Sequence, residues 1–303
     1  MTMENKTNDR RSVIMIVASM LIFGTIGLFR RYIPCSSAFL AFIRGILGGL
    51  LLLLFTQIRR KKAEGKLPGQ AVIWLCISGA VIGINWMLLF EAYNHTTVAV
   101  ATLCYYMQPT IVMLVSPLLF REKLTKRKAI CAVIAVIGMV LVSGVTEGRE
   151  TGTGNLKGIL LGLGAAVCYA SVIIMNKKIT GVDAYRRTTI QLLCAGLAMV
   201  PYMLMTDGFG STAFSTGTLA LLMIVGIVHT GVAYVLYFGS MDGLKAQSIA
   251  MLSYIDPVTA LLLSALVLRE PLSAAGTVGA GMILFSAVFA EKKETIKLSD
   301  SGE

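Results

Sequence analysis

Two stretches of the chain repeat one pattern, and this pattern decides the fold. Residues 90–125 read FEAYNHTTVAVATLCYYMQPTIVMLVSPLLFREKLT, and residues 238–273 read FGSMDGLKAQSIAMLSYIDPVTALLLSALVLREPLS. Aligned without a gap at an offset of 148, the stretches share nine identities, including a Y-x-x-P followed twelve residues later by R-E-x-L. Apolar composition alone does not produce matched prolines and charges at fixed spacing. The chain therefore contains an internal repeat.

Working outward from these stretches, the sequence divides into ten apolar runs. The chain has 303 residues, of which 56% are hydrophobic and only 14% charged, and its mean hydropathy is +0.77. A soluble domain carries about 25% charged residues, so a large water-soluble catalytic domain is excluded. Each run is long enough to cross a bilayer, and inside lipid such a segment must be a helix. The runs are 12–30, 36–57, 70–90, 97–119, 128–145, 156–176, 184–205, 216–239, 245–268 and 274–290.

The repeat places five runs in each half of the chain. The first half is 12–145, the linker 146–155 and the second half 156–290, with polar tails at 1–11 and 291–303. An odd number of spans makes the second half enter the membrane from the opposite side. The sequence therefore predicts an all-α integral membrane protein with ten transmembrane helices, arranged as two inverted five-helix repeats. Such repeats place a binding site at their interface near the bilayer midplane.

The charge distribution predicts the orientation. The net charge is +11, from 27 basic and 16 acidic residues. With the amino terminus inside, 21 basic residues fall in inside segments, 5 in outside segments, and Arg44 within a span. This bias predicts a cell-membrane protein with both termini in the cytoplasm. A basic surface for nucleic acid is not expected, because no segment interleaves basic and aromatic residues on a solvated face.

The repeat and its motifs resemble the drug/metabolite transporter superfamily, and the EamA family in particular. The resemblance rests on two five-span halves, a proline in the fourth and ninth spans, and REKLT and REPLS after those spans. Arg44, in FLAFIRGILGGL, is similar to that family's arginine at this place. The resemblance implies a carrier, often an exporter of amino acids or other small metabolites. This chain reads Ile255-Asp256-Pro257 where the family often has L-E-P, so the carboxylate is one methylene shorter.

Four polar residues within the spans are candidates for substrate binding or coupling, because ionisable groups are costly at membrane depth. Asp256 is interpreted as a cation or proton site, with a structural partner for Arg44 as the alternative. Arg44 either pairs with a carboxylate of the protein, which we favour, or binds an anionic substrate group. His229 either bonds a helix neighbour or relays protons with Asp256. Gln108 is the counterpart of Asp256 in the repeat, and Gln191 is the counterpart of Arg44.

Aromatic residues form a second layer of the predicted site. Thr230, Tyr234 and Tyr237 follow i, i+4, i+7 and so share one helical face. Such rings could line a cavity for a zwitterionic, cationic or aromatic solute, with plain helix packing as the alternative. The predicted lining residues are Trp86, Tyr105, Tyr234, Tyr237 and Tyr254.

Three further motifs have structural interpretations. Pro109 and Pro257 are predicted to break their helices, because proline lacks the N–H group that a helix needs. Glu122 and Glu270, in the two R-E motifs, are predicted to be gate-like structural groups. The small-residue spacings of 45 with 49 and 158 with 162 favour close helix packing and give weak support for a dimer.

The sequence therefore predicts a secondary active transporter of a small metabolite, such as an amino acid, an amine or a drug-like solute. Export, alternating access, and coupling to protons or exchange are expected. The alternatives are a membrane-embedded enzyme and a channel-like or structural membrane protein. An enzyme is not expected, since no clustered catalytic motif occurs, and no P-loop supports ATP-driven pumping. The expected partners are a small-molecule substrate, the lipid bilayer and protons. No cofactor or metal is expected, and the chain is predicted to be a monomer or weak homodimer.

Overall fold

Helices make up the regular structure throughout the described part of the chain. The computed structural model describes residues 3–58, 67, 69–120, 125–142, 153–179, 181–206, 214–241, 252–270 and 272–291. The helices are α1 Met3–Gly24, α2 Ile26–Tyr32, α3 Ser37–Ile58, α4 Gly69–His95, α5 Val98–Tyr105, α6 Gln108–Phe120, α7 Lys126–Val142, α8 Thr153–Lys178, α9 Ala184–Met205, α10 Thr216–Gly226, a π-helical segment Ile227–Val232, α11 Ala233–Met241, α12 Ile255–Leu266 and α13 Ala274–Glu291.

Seven stretches of helix in the described residues are long and apolar enough to cross a membrane. They are Arg10–Tyr32, Ser37–Ile58, Gly69–His95, Val98–Val115, Asn155–Asn176, Ala184–Met205 and Thr216–Ser240. Three shorter apolar helices, Ala129–Val142, Ile255–Leu266 and Ala274–Ser286, lie at the fifth, ninth and tenth predicted spans. The protein is therefore a multi-pass membrane protein, and the count of ten spans stays a prediction.

Two predicted boundaries differ from the helix ends. Helix α1 begins at Met3, within the predicted tail 1–11, and α8 begins at Thr153, within the predicted linker 146–155. Hydropathy marks only the apolar part of a helix, whereas the backbone hydrogen bonds continue into polar residues.

Several of the long helices are interrupted. Thr25 separates α1 from α2, a turn at Tyr106 separates α5 from α6, and the π segment separates α10 from α11. Pro109 and Pro257 lie in the first turns of α6 and α12, where a missing N–H costs no hydrogen bond. The prolines thus stand at the start of a new helix and not inside a continuous one.

The tightest packing joins helices from different halves. α3 packs on α9, where a Cβ at Gly45 would lie 2.4 Å from the Gly196 nitrogen, and α7 packs on α13 at Gly138 and Gly279. α4 packs on α8, and α1 packs on α11. The glycines at 45, 49 and 162 face other helices of this same chain, and Gly158 faces Thr96 between α4 and α5, so their spacing is used in internal packing.

The outer surface of the bundle carries large apolar side chains, as expected for contact with lipid. Ile14, Ile58, Leu204 and Leu266 are each about two-thirds exposed or more. A soluble protein rarely leaves so many large apolar side chains in water.

Candidate functional site

Arg44 lies deep in the bundle and is held by groups from both halves. Its side chain is 5% exposed, and Nε donates to the Thr230 hydroxyl at 3.0 Å. The guanidinium lies over the Trp86 ring, 4.1 Å from the ring centre, and 5.3 Å from that of Phe90. These contacts orient the planar cation and stabilise it by cation–π attraction.

The π-helical segment shapes the wall opposite Arg44. Thr230 lies within this segment, and its side-chain hydroxyl, which accepts from Arg44, donates to the Val225 carbonyl at 3.0 Å. Gly48 on α3 lets this wall approach, because a Cβ there would lie 2.4 Å from the Thr230 methyl group. Wide helical turns of this kind occur frequently at functional sites.

His229, also in the π segment, contacts the interruption between α1 and α2. Its Nε2 lies 2.7 Å from the Thr25 hydroxyl, and its ring packs edge-on against Phe29 at 4.5 Å. No direct hydrogen bond joins His229 to Asp256 in the described structure. The predicted proton relay between them therefore has no direct link here, and the bond to a neighbouring helix matches the simpler interpretation.

Asp256 lies in the first turn of α12 and is bound by a tyrosine of the first half. The Tyr106 hydroxyl donates to Oδ2 at 2.5 Å. On the other side, a Cβ at Gly24 would lie 2.6 Å from the Asp256 carbonyl oxygen, so α1 approaches the backbone here very closely. The first turn of α12 is thus contacted by two elements of the first half, through Tyr106 and through Gly24.

Arg44 and Asp256 do not form an ion pair, contrary to the expectation that we favoured from the sequence. No carboxylate of the described residues lies within 4 Å of the Arg44 guanidinium. Each charge binds a neutral hydroxyl group instead, Thr230 for the cation and Tyr106 for the anion. The separation follows from helix positions, which sequence does not give.

Aromatic rings lie around both charges. The Tyr105 ring centre lies 5.8 Å from that of Tyr106, which binds Asp256, and Tyr234 lies four residues after Thr230, which binds Arg44. Tyr105 meets Tyr169 at 5.8 Å between ring centres. Of the predicted lining residues, Trp86 contacts Arg44 directly, Tyr105 packs on the Asp256 partner Tyr106, and Tyr234 packs on Phe23.

The remaining predicted residues are placed less centrally. Tyr237 packs edge-on against Phe238, and Tyr254 is half-buried at the N-cap position of α12. Gln108 begins α6, and its Oε1 is buried without a hydrogen-bond partner among the described residues. Glu122 lies outside the described residues.

Glu270 lies at one end of the bundle. It follows the end of α12, whereas Asp256 lies in the first turn of that helix. Its carboxylate contacts Arg31, the Val98 amide and the Ser264 hydroxyl. A second carboxylate at this end, Glu91, accepts from Ser37, Asn94 and His95.

Sequence reasoning did not assign roles to Thr25 or Phe29, or to the bond between Tyr106 and Asp256. Thr25 and Phe29 are ordinary residues of an apolar run, and nothing in the local sequence marks a π turn. The signal for Tyr106 was present, because it is the tyrosine of the repeated Y-x-x-P, whose position relative to the other half only the fold reveals. No group of three metal-binding side chains occurs within the described ranges.

The fold and the buried polar groups define the class: a multi-pass membrane protein with charged and aromatic side chains gathered between its helices. A family model described as the EamA-like transporter family matches residues 10–144 and 156–290. The chain belongs to this family, and it is a membrane transporter.

Relatives along most of the chain agree with the family. The chain is 28% identical to the uncharacterized transporter YxxF of Bacillus subtilis over 83% of this chain and 80% of that protein. It is 29% identical to Protein PecM of Dickeya dadantii, over 85% of this chain and 84% of PecM. An uncharacterized transporter of Archaeoglobus fulgidus is 28% identical, over 91% and 94%.

A solved protein crystal structure has the same fold. It superposes with a TM-score of 0.62 and covers 92% of this chain and 96% of its own. Its sequence is 19% identical, so the likeness concerns the fold alone.

Proposed function

We propose that the protein carries a small zwitterionic solute, with an amino acid as the leading candidate. The observation that carries this proposal is that Arg44 and Asp256, two opposite charges inside the helix bundle, each bind a neutral hydroxyl group and not each other. A solute carboxylate would bind Arg44, and a solute ammonium would bind Asp256. The rings of Trp86, which packs on Arg44, and of Tyr105, which packs on the Asp256 partner Tyr106, would contact the middle of the solute.

Alternating access between two inverted five-helix halves would move this solute. In support, each charge is held by a hydrogen bond that crosses between the halves: Arg44 to Thr230, and Tyr106 to Asp256. A rocking of one half against the other would therefore change both ends of the site together. The pairing of α3 with α9 and of α7 with α13, each across the halves, also favours a pseudo-twofold relation.

The topology belongs to the same proposal. Ten spans, with repeats at 12–145 and 156–290, place the site near the bilayer midplane. The count of 21 inside and 5 outside basic residues favours a cell-membrane location with both termini in the cytoplasm. Export is the direction that the family resemblance favours, and the chain is proposed to work as a monomer or weak dimer.

Coupling would depend on Asp256. A carboxylate that binds either a proton or the ammonium group of a solute makes the two compete, which is the requirement for proton-coupled exchange. His229 would affect coupling only indirectly, since its partner is Thr25.

A thermal-shift screen of the purified protein tests the zwitterion proposal. The panel contains amino acids, the amines and carboxylic acids derived from them, nucleosides and quaternary ammonium compounds. A ligand that binds the folded state raises the melting temperature by mass action. We expect zwitterions to give the largest rise, and a panel in which only nucleosides raise it would contradict the proposal.

Two substitutions test which residue binds the ammonium group of the solute and which binds its carboxylate. Asp256→Asn is expected to abolish the response to amines but spare that to carboxylic acids, whereas Arg44→Gln does the reverse. Removing one partner of a buried charge contact costs about 2–5 kcal/mol, so the affected affinity falls at least about thirtyfold. Arg10→Gln removes an exposed arginine and serves as the matched control. Equal responses in all three variants would remove Arg44 and Asp256 from the site.

Flux in proteoliposomes separates a carrier from a channel. A carrier saturates with substrate and shows counterflow, in which unlabelled solute on one side drives uptake of labelled solute from the other. Flux that rises linearly with concentration, without counterflow, would favour the channel alternative.

A further inference from the structure

One carboxylate, that of Glu270, joins three helices at one end of the bundle. Its Oε2 accepts from the Val98 N–H at 3.1 Å and from the Ser264 hydroxyl at 3.0 Å, and its Oε1 lies 2.5 Å from Nη2 of Arg31. Val98 is the first residue of α5. The carboxylate therefore binds a free N–H at a helix start, where the helix dipole also favours a negative charge.

The backbone after α12 is folded to deliver this carboxylate. Arg269 has a φ of 56°, which is the left-handed region that side chains other than those of glycine, asparagine and aspartate rarely adopt. The Glu270 N–H then turns back and donates to the Ser264 carbonyl at 2.9 Å. This unusual turn places Glu270 beside Ser264 of its own helix and against the start of α5.

The three helices belong to different halves. α2 and α5 are in the first half, and α12 is in the second. α2 also packs directly on the start of α5, because a Cβ at Gly27 would lie 2.4 Å from the Val98 side chain, and Arg31 reaches the Thr96 carbonyl at 3.0 Å. The Ala99 N–H donates to the Ser264 hydroxyl at 3.3 Å. The contacts of Glu270 with Arg31 and Val98, and that of Ser264 with Ala99, would break if the halves separated at this end, whereas the contacts between α2 and the start of α5 lie within the first half.

We infer that Glu270 is a latch: it holds this end of the transport path shut by capping α5 of the opposite half, and this end opens when the carboxylate leaves the Val98 N–H. What the latch gates rests on the proposed function, whereas the latch itself is tested without substrate. Glu270 acts as a positioning residue and does not bind the solute.

The bond between Glu270 and the Val98 N–H at the start of α5 holds the latch closed, and the ion pair with Arg31 does not. The side chains of Arg31 and Glu270 are 30% and 20% exposed, and ion pairs in contact with water contribute little. Ser264 is fully buried, and Val98 is 1% exposed, so the bonds on that side are shielded from water. Arginine has no acceptor atom and cannot replace a carboxylate at a helix start.

Thiol labelling at position 98 reports whether the latch is closed. In a Cys35→Ser background, Val98→Cys places a small thiol between α2 and α5 while keeping the backbone N–H. A membrane-impermeant maleimide is applied to both faces of proteoliposomes, and mass spectrometry measures the label at position 98. Hydrogen exchange of the amides at 98 and 99 is measured in parallel on the purified protein.

The variants give distinct results. Glu270→Gln is expected to raise both the labelling rate and amide exchange at least about tenfold, because a charge-assisted bond to a backbone amide is lost. Arg31→Gln should raise them only about two- to threefold. The double swap Arg31→Glu with Glu270→Arg should stay as open as Glu270→Gln. Glu91→Gln, which removes the other carboxylate at this end, is the matched control and should leave both rates unchanged.

Two results would overturn the latch. If Glu270→Gln shows the wild-type rates of labelling and amide exchange, the carboxylate does not hold this end closed. If the double swap restores the wild-type rates, the ion pair with Arg31 and not the helix cap is responsible. If Glu270→Gln does not fold, Glu270→Asp replaces it, because the shorter side chain keeps the charge but cannot reach both partners. If the Arg44 and Asp256 variants bind ligands normally while the latch variants behave as expected, the solute site is wrong and the latch stands.

Discussion

Replacing Gly45 with alanine will force α3 and α9 apart. A Cβ at this position would lie 2.4 Å from the Gly196 nitrogen and 2.6 Å from both the Gly196 Cα and the Leu192 carbonyl oxygen. These are backbone atoms, which cannot rotate out of the way as a flexible side chain can. Ordinary contact needs about 1 Å more room, so the helices must separate by about that distance at their closest point.

The cost follows from the same contact. Forcing an extra methyl group into a filled interface costs about 1–3 kcal/mol. The change also removes a helix glycine, which returns up to about 1 kcal/mol. We expect a net loss of about 1–2 kcal/mol, together with a displacement of the neighbouring Arg44 from Thr230.

Gly281→Ala is the matched control. Gly281 lies in α13, and a Cβ there meets nothing within 4 Å, so only the gain in helix propensity applies. Melting of the two purified variants and of the wild type is followed in one detergent by intrinsic tryptophan fluorescence. Gly45→Ala should melt several degrees below the wild type, and Gly281→Ala at or slightly above it. If Gly45→Ala melts with the control, the close approach of α3 and α9 is wrong.

Three further predictions concern the site and its surroundings. Arg44→Lys keeps the charge but loses the planar contact with Trp86, so solute affinity, measured by titration calorimetry, should fall about tenfold, and an unchanged Kd would contradict the packing. Tyr106→Phe removes the hydroxyl that binds Asp256, so the initial flux in proteoliposomes should fall about tenfold, with full flux as the opposing result. Burial raises the pKa of the Cys35 thiol to about 11, although Arg30 partly opposes this shift, so the reactive thiolate is scarce at pH 7.5. Maleimide labelling of Cys35 should therefore be slow, and its rate should rise about tenfold per pH unit up to pH 9. A labelling rate that levels off near pH 8.5 would indicate an ordinary exposed thiol.

Hydropathy was sufficient to place most of the helices but not their interruptions. The apolar runs coincide with the seven long helices and the three shorter ones, because lipid imposes helix formation on any apolar segment of that length. The π segment and the break at Thr25 depend on contacts between α1 and the eighth run. Such contacts leave no periodic signal in the sequence of either run alone.

The sequence was sufficient to predict residues of the candidate site but not the groups that these residues contact. Arg44 and Asp256 were recognisable because a charge in an apolar run is costly, and Trp86 because it is the repeat counterpart of Tyr234. Which groups they contact depends on how the halves meet, and the sequence suggested an ion pair where the fold provides two hydroxyl groups. The role of Glu270 at a helix start of the other half was equally hidden, since Val98 contributes only its backbone.

The π segment lies in a stretch over which the two halves differ in length. The repeat offset is 147 at Arg44 and Gln191 but 148 at Phe90 and Phe238, so the second half is one residue longer over this stretch. A wide helical turn holds one additional residue, and here such a turn brings Thr230 to Arg44. Gln191, without such a turn opposite it, donates to Ser78 and Asn176 instead.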